Sequence, residues 1–271
     1  MLRRKPTEHR VARRRFGASL VLLVIACALM YPLVDVVIGS FRVGGAGAFT
    51  LLYWRGVFHQ VPVVPELGVS ALLSIASVVG VLVVAVPGGY AFAKLPFRGA
   101  RVAFLICVGC MMIPLESIVV PEYTNLAAIG LVGTIQGTVL VAVAVGIPLA
   151  VFLMTSYFRS LPDSLMEAAW VDGAGELRIF LQVMLPLAAP ALATVAVLEF
   201  LSVWNDLLIA LLFLPMNVRS IAVGLAALQG NHVLNTNVLV AGSVLSAVPP
   251  ILVYLMFQRY IVSGLTMGVT Q

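Results

Sequence analysis

RSLPDSLMEAAWVDGAGELRIFLQVMLP, residues 159–186, is a charged, helix-forming passage set between two long apolar blocks. Pro162 suits the first turn of a helix, where its missing N–H has no helical partner, and Asp163 suits the positive end of that helix. Leu165, Ala168, Ala169 and Asp172 recur at helical spacing and share roughly one face. Gly173 and Gly175 then end the helix. A second short helix is expected from about Glu176, with Leu177, Phe180, Leu181 and Met184 as an apolar stripe, until Pro186 opens the next apolar block. The result is a helix, a glycine turn and a helix, with alanines where another backbone can approach. An amphipathic insert of this kind between apolar blocks is predicted to present a docking surface to a soluble partner.

The blocks on either side identify the solvent. The chain has 271 residues, 62% of them hydrophobic and 10% charged, with a mean hydropathy of +1.11. That balance lies far from a soluble globular domain and belongs in a bilayer. About 20 apolar residues cross the hydrocarbon layer as a helix. Six stretches meet that length, near Phe16 to Gly39, Leu67 to Ala93, Val102 to Pro121, Gln136 to Phe158, Leu187 to Phe213 and Val238 to Phe257. The first is followed by Ala46-Gly47-Ala48, a small-residue triplet like a cleavage site, but its apolar run is too long for a secretory signal and reads as an uncleaved anchor.

Orientation follows from the cations. Thirteen Lys and Arg residues fall on one side, seven of them (Arg3, Arg4, Lys5, Arg10, Arg13, Arg14 and Arg15) before the first span, against Arg42, Arg55 and Arg219 on the other. The richer side is expected to be cytoplasmic, which places both termini and the insert inside. The net charge of +5 then reflects topology, and no nucleic-acid partner is needed to explain it. Tyr53, Trp54 and Phe58, in the outer loop, read as interfacial anchors. Residues 1–15 form a basic cytoplasmic tail and 16–271 a six-span domain carrying the insert at 159–186.

Several chemistries find no support. No Lys follows a Gly, so there is no phosphate-cradling loop of the Gly-x-x-x-x-Gly-Lys kind, and ATP binding by that route is excluded. His9, His59 and His232 are scattered over both sides, which leaves no metal or general-base cluster and no catalytic residues. Cys107 and Cys110 have redox-motif spacing but sit in an apolar span beside Met111 and Met112, where inert thiols are the expected reading.

Glu167-Ala168-Ala169, then Gly173, Val183 and Leu185-Pro186, resembles the signature of membrane subunits of ABC importers, departing only at Val183, where the family usually has Ile. Leu161-Pro162 and Asp172-Gly173-Ala174 are similar to the carbohydrate branch, specifically to the second permease of maltose-type systems. Tyr90-Ala91-Phe92-Ala93-Lys94, Met112-Ile113-Pro114, Pro190 to Ala196, Trp204-Asn205-Asp206 and Gln258-Arg259-Tyr260 extend the similarity from about residue 40 to the end. The resemblance implies an all-α membrane protein of the type I importer class, with six transmembrane helices and a cytoplasmic coupling-helix insert. It implies a multi-pass protein of a bacterial cell membrane that is itself non-catalytic. Its partners would be a second homologous permease, a cytoplasmic ATPase dimer and an extracytoplasmic solute-binding protein. No cofactor is expected in this chain, since ATP and magnesium would be held by the ATPase. Docking would fall to Glu167, Ala168, Ala169, Asp172, Gly173, Ala174, Leu185 and Pro186.

The solute pathway is read from carboxylates within the spans, which usually face a wet cavity. Glu199, Ser202 and Asp206 share a face of the fifth span; Asn205 stands beside Asp206, and Glu116 lies in the outer half of the third span. Sugar hydroxyls donate well to such groups; packing between subunits is the plainer reading. A permease for another solute, such as an amino acid, would usually carry an aliphatic or small residue at Asp172. A six-span scaffold without transport would have no need of the insert.

Overall fold

The computed structural model describes residues 8–42, 47–230 and 236–266. Residues 1–7 of the expected basic tail lie outside them. Among the described residues the regular structure is helical, apart from one isolated bridge between Arg42 and Phe49. Four helices are long and apolar enough to cross a membrane unbroken: α1 (Glu8–Gly39), α3 (Val63–Lys94), α6 (Ile135–Ser160) and α13 (Thr236–Thr266). A short α2 (Leu52–Gln60) precedes α3, and α12 (Ile221–Gly230) comes before α13 in the chain.

The remaining two crossings are broken. The expected span from Val102 to Pro121 is α4 (Ala100–Gly109), a 3-10 turn (Cys110–Met112) and α5 (Leu115–Ala128), bent by 105°. Pro114 causes the break, because its ring pushes the preceding residue out of the helical region and Ile113 accordingly sits at φ −85°, ψ 118°. The insert contains α7 (Ser164–Val171), α8 (Glu176–Ile179), a π-helical turn (Phe180–Met184) and α9 (Leu185–Leu187). It leads into α10 (Ala189–Asn205) through a bend of 71°. The span expected to reach Phe213 instead stops at Asn205: Asp206 is extended, and a separate α11 (Leu208–Phe213) follows. Among the described residues there are thus four unbroken candidate spans, and up to six if each bent pair is counted as one.

Two compact units divide the chain. The first comprises Met1–Gln60 and Asn231–Leu245. In it the apolar side chains of α1 from Leu20 to Val37 are exposed, as lipid-facing residues are, while Tyr53 and Val57 of α2 are buried. The expected belt of Tyr53, Trp54 and Phe58 is therefore split. Trp54 stacks on Phe41 with ring centroids 5.1 Å apart, and Phe58 alone of the three is exposed.

The second unit comprises Val61–Gly230 and Ser246–Gln271. Its centre is α3 packed along α6, with α10 against both. Glycines permit the approach: a Cβ on Gly89 would come within 3.0 Å of the backbone of Met154 and Thr155, and one on Gly80 would lie 2.6 Å from a Val143 methyl. Close packing through small residues is the main attraction between helices in lipid, where burial of apolar surface supplies no driving force. The core contains Val81, Tyr90, Met154, Phe158 and Val195, and it also takes in Met166, Ile179 and Met184 of the insert.

Candidate docking surface and solute cavity

The insert is clasped to the ends of α3 and α6. Lys94, the last residue of α3, donates to the carbonyl of Leu161 at 2.6 Å and pairs with Asp163 at 2.5 Å. One turn back, the Tyr90 hydroxyl donates to Glu176 Oε1 at 2.6 Å, and the Tyr90 ring packs on Phe158 and Phe180. The Tyr157 hydroxyl of α6 donates to the carbonyl of Leu187 at 2.9 Å, and the Arg159 guanidinium lies over the Phe104 ring. Met166, Ile179 and Met184 anchor the insert from beneath, each 3% exposed or less.

Between its helices the insert turns on glycine. The Gly173 N–H bonds the Trp170 carbonyl at 2.9 Å and the Ala174 N–H bonds the Ala169 carbonyl at 3.0 Å. Those two bonds form a Schellman motif, which needs a left-handed residue, and Gly173 has φ +76°. The outer surface of α7 presents Leu165, Glu167, Ala168, Trp170, Val171, Asp172 and Gly173, with Val171 89% exposed. Ala169, Ala174 and Leu185 are half-buried and Pro186 is exposed. The apolar stripe expected for the second helix is divided. Phe180 and Met184 face the core, joined there by Ile179, whereas Leu177 and Leu181 point outward. Alone in water, exposed Leu165, Trp170, Val171, Leu177 and Leu181 would be an unusual apolar patch, of the sort that marks a protein interface.

The second feature is a cavity of about 500 Å³ among α3, α5, α6, α10 and α11. Glu199 and Ser202 of α10 line it, and so does Asp206, which lies just beyond the helix rather than on its face. Glu199 is 8% exposed and its carboxylate lies against Gly146 of α6, where a Cβ would overlap it. Asp206 Oδ1 accepts from the Ile209 N–H at 2.7 Å and so caps α11. Glu116 and Asn205 do not line the cavity. Glu116 is exposed in the first turn of α5, where its charge suits the positive helix end, and Asn205 Nδ2 donates to the Leu201 carbonyl at 2.7 Å. In their place the cavity gains Glu122 of α5, with Ser77 and Thr138. Among the described residues no group of three or more His, Cys, Asp or Glu is placed to hold a metal ion.

Residues 85–267 match the family described as binding-protein-dependent transport system inner membrane component. The chain belongs to this family. It is a membrane-spanning permease subunit of a binding-protein-dependent ABC importer, in a multi-pass cell-membrane fold. Among its relatives is the arabinooligosaccharides transport system permease protein AraQ of Halalkalibacterium halodurans, 34% identical over 90% of this chain and 92% of that one. The trehalose/maltose transport system permease protein MalG of Thermococcus litoralis is 33% identical over 92% and 95% of the two chains. The permease is also similar to the crystal structure of a bacterial ABC transporter involved in the import of the acidic polysaccharide alginate. There the TM-score is 0.72, with 27% identity over 96% of this chain and 99% of that one.

Sequence reading of the permease missed Tyr90 and Lys94 as the clasp, although both stand in a stretch that carries the family resemblance. Their partners lie 86 and 69 residues away, beyond the reach of local pattern. Glu122 falls just past the expected end of the third span at Pro121 and is followed by Tyr123-Thr124-Asn125, so the signal that picked out Glu199, a carboxylate within an apolar run, did not reach it.

Proposed function

We propose that this permease imports a carbohydrate, and that its insert docks on a cytoplasmic ATPase dimer holding ATP and magnesium. The chain itself is non-catalytic. It pairs with a second, related permease and receives solute from an extracytoplasmic binding protein. Closure of the ATPase around ATP draws the docked inserts together and swings the permeases between inward-facing and outward-facing states, each favoured by a different nucleotide state of the ATPase. The observation that carries this reading is the insert itself, fixed to the bundle by Tyr90, Lys94 and Tyr157 while its apolar and small residues stay uncovered. A surface so held transmits a push to α3, α6 and α10 instead of absorbing it. Support for a sugar comes from the relatives, whose names specify arabinooligosaccharides, trehalose or maltose, and, in Streptomyces coelicolor, diacetylchitobiose. The test is ATPase activity of the reconstituted complex with its binding protein against a panel of sugars and amino acids. Stimulation by a sugar is expected; stimulation by amino acids alone overturns the carbohydrate reading.

A further inference from the structure

The cavity carries Glu122, Glu199 and Asp206, and among its described lining residues there is no lysine, arginine or histidine. Two of its polar groups have no protein partner. Glu199, 8% exposed as a residue, rests its carboxylate on Gly146 with no donor from the described residues, and the Ser77 Oγ on α3 is buried and unbonded. Buried polar atoms are ordinarily hydrogen-bonded, so such groups in a cavity wall call for donors supplied by what enters it.

We propose that this cavity selects its solute by charge, admitting neutral or amine-bearing glycosides and rejecting acidic ones. The proposal rests on the carbohydrate reading above and adds the class of sugar. Carboxylate oxygens accept hydrogen bonds, and hydroxyl or ammonium groups of a glycoside donate them. A uronate would bring a charge into a wall that holds three carboxyl groups and, among the described residues, no cation to pair with it, and an unpaired charge taken out of water is costly. Discrimination then comes from a repulsive element set against the wrong solute as much as from contacts to the right one. The similarity in fold to the alginate importer therefore does not extend to acidic cargo.

Cys110, exposed and on the cavity wall, is a built-in reporter. In membranes holding the full complex, with Cys27 and Cys107 replaced by alanine, Cys110 is treated with trimethylammonium-ethyl, sulfonato-ethyl or uncharged methanethiosulfonates. Each rate is normalised to that with a small free thiol. Charge focusing in a cleft raises local counter-ion concentration roughly tenfold or more, so a cation preference of that order is expected. It should shrink with added salt and fall towards parity in Glu122→Gln with Glu199→Gln. The half-exposed Glu122→Gln alone serves if the double variant fails to assemble. Equal or faster reaction of the anionic reagent, a preference untouched by the amides, or no reaction with the uncharged reagent overturns the proposal. In a second arm, ATPase stimulation by a neutral disaccharide is compared with that by its uronic acid counterpart. Equal stimulation by both overturns charge selection. Failure of every sugar strikes the carbohydrate reading instead, and the labelling ratio still decides the sign of the cavity.

Discussion

Gly173 and Gly175 lie two residues apart on the insert, both exposed, and a Cβ on either would meet nothing within 4 Å. They differ in backbone alone: Gly173 has φ +76° and Gly175 φ −75°. Alanine at Gly175 therefore adds a methyl group without strain, whereas at Gly173 it costs about 1 kcal/mol or more and loosens the Schellman turn. We expect Gly173→Ala to reduce co-purification of the ATPase and transport-coupled hydrolysis, and Gly175→Ala to leave both near wild type. Equal behaviour of the two variants would show that docking does not depend on this turn. Tyr90 makes a complementary case. Tyr90→Phe keeps the ring against Phe158 and Phe180 but removes the donor to Glu176, a net loss of about 1 kcal/mol. The bundle should stay folded while the insert opens more often, which limited trypsin cleavage after the exposed Arg178 would report as a faster cut. An unchanged cleavage rate would mean that the apolar anchors alone hold the insert.

At the scale of elements, the break between α10 and α11 turns on one carboxylate. Asp206 leaves the helical region and its Oδ1 takes the Ile209 N–H, so its side chain offers the backbone an alternative to continued helix. Asp206→Asn keeps an acceptor at the cap and should be close to neutral, whereas Asp206→Ala should cost about 1 kcal/mol. Hydrogen exchange over residues 208–213 measures the difference, and equal protection in the two variants would remove the cap as the cause. This break also marks where sequence reading reached its limit. The apolar run from Leu187 to Phe213 continues through Asp206, and hydropathy cannot register a change of backbone direction that leaves composition unaltered. The same holds at Ile113-Pro114, where a proline tolerated in many membrane helices here bends the span. By contrast, the helix, glycine turn and helix of the insert were readable because Gly173 acts within a turn of itself; Pro162 falls just before α7, and Asp163 makes no cap bond but pairs with Lys94. Within that insert, the register of the apolar stripe was not readable, since the π-helical turn at Phe180–Met184 resets which positions point inward. The face shared by Glu199 and Ser202 was readable from helical spacing, whereas Asp206, beyond the end of α10, reaches the same cavity wall from extended backbone. The ring of partners around them, Glu122, Ser77 and Gly146, comes from other helices and was not.

For the whole molecule, sidedness is the property from which the rest of the mechanism follows. α3 has 32 residues, about 48 Å at 1.5 Å per residue, against a hydrocarbon layer of about 30 Å, so its two ends emerge on opposite faces. The end at Lys94 is bonded to the insert, and Arg159, closing α6, packs on Phe104 beside it. These cations belong to the thirteen of the richer side, so the structure gathers the insert with the residues that the positive-inside rule assigns to the cytoplasm. On that assignment the segment just before α3 is expected to face out. Phe58, 56% exposed, marks that segment. With Cys27, Cys107 and Cys110 replaced, an impermeant maleimide should label Phe58→Cys in intact cells. Gly175→Cys should react only after the membrane is opened. The reverse pattern would invert the topology. It would also put the insert on the wrong side for any ATP-hydrolysing partner, so the docking proposal stands or falls with the same experiment.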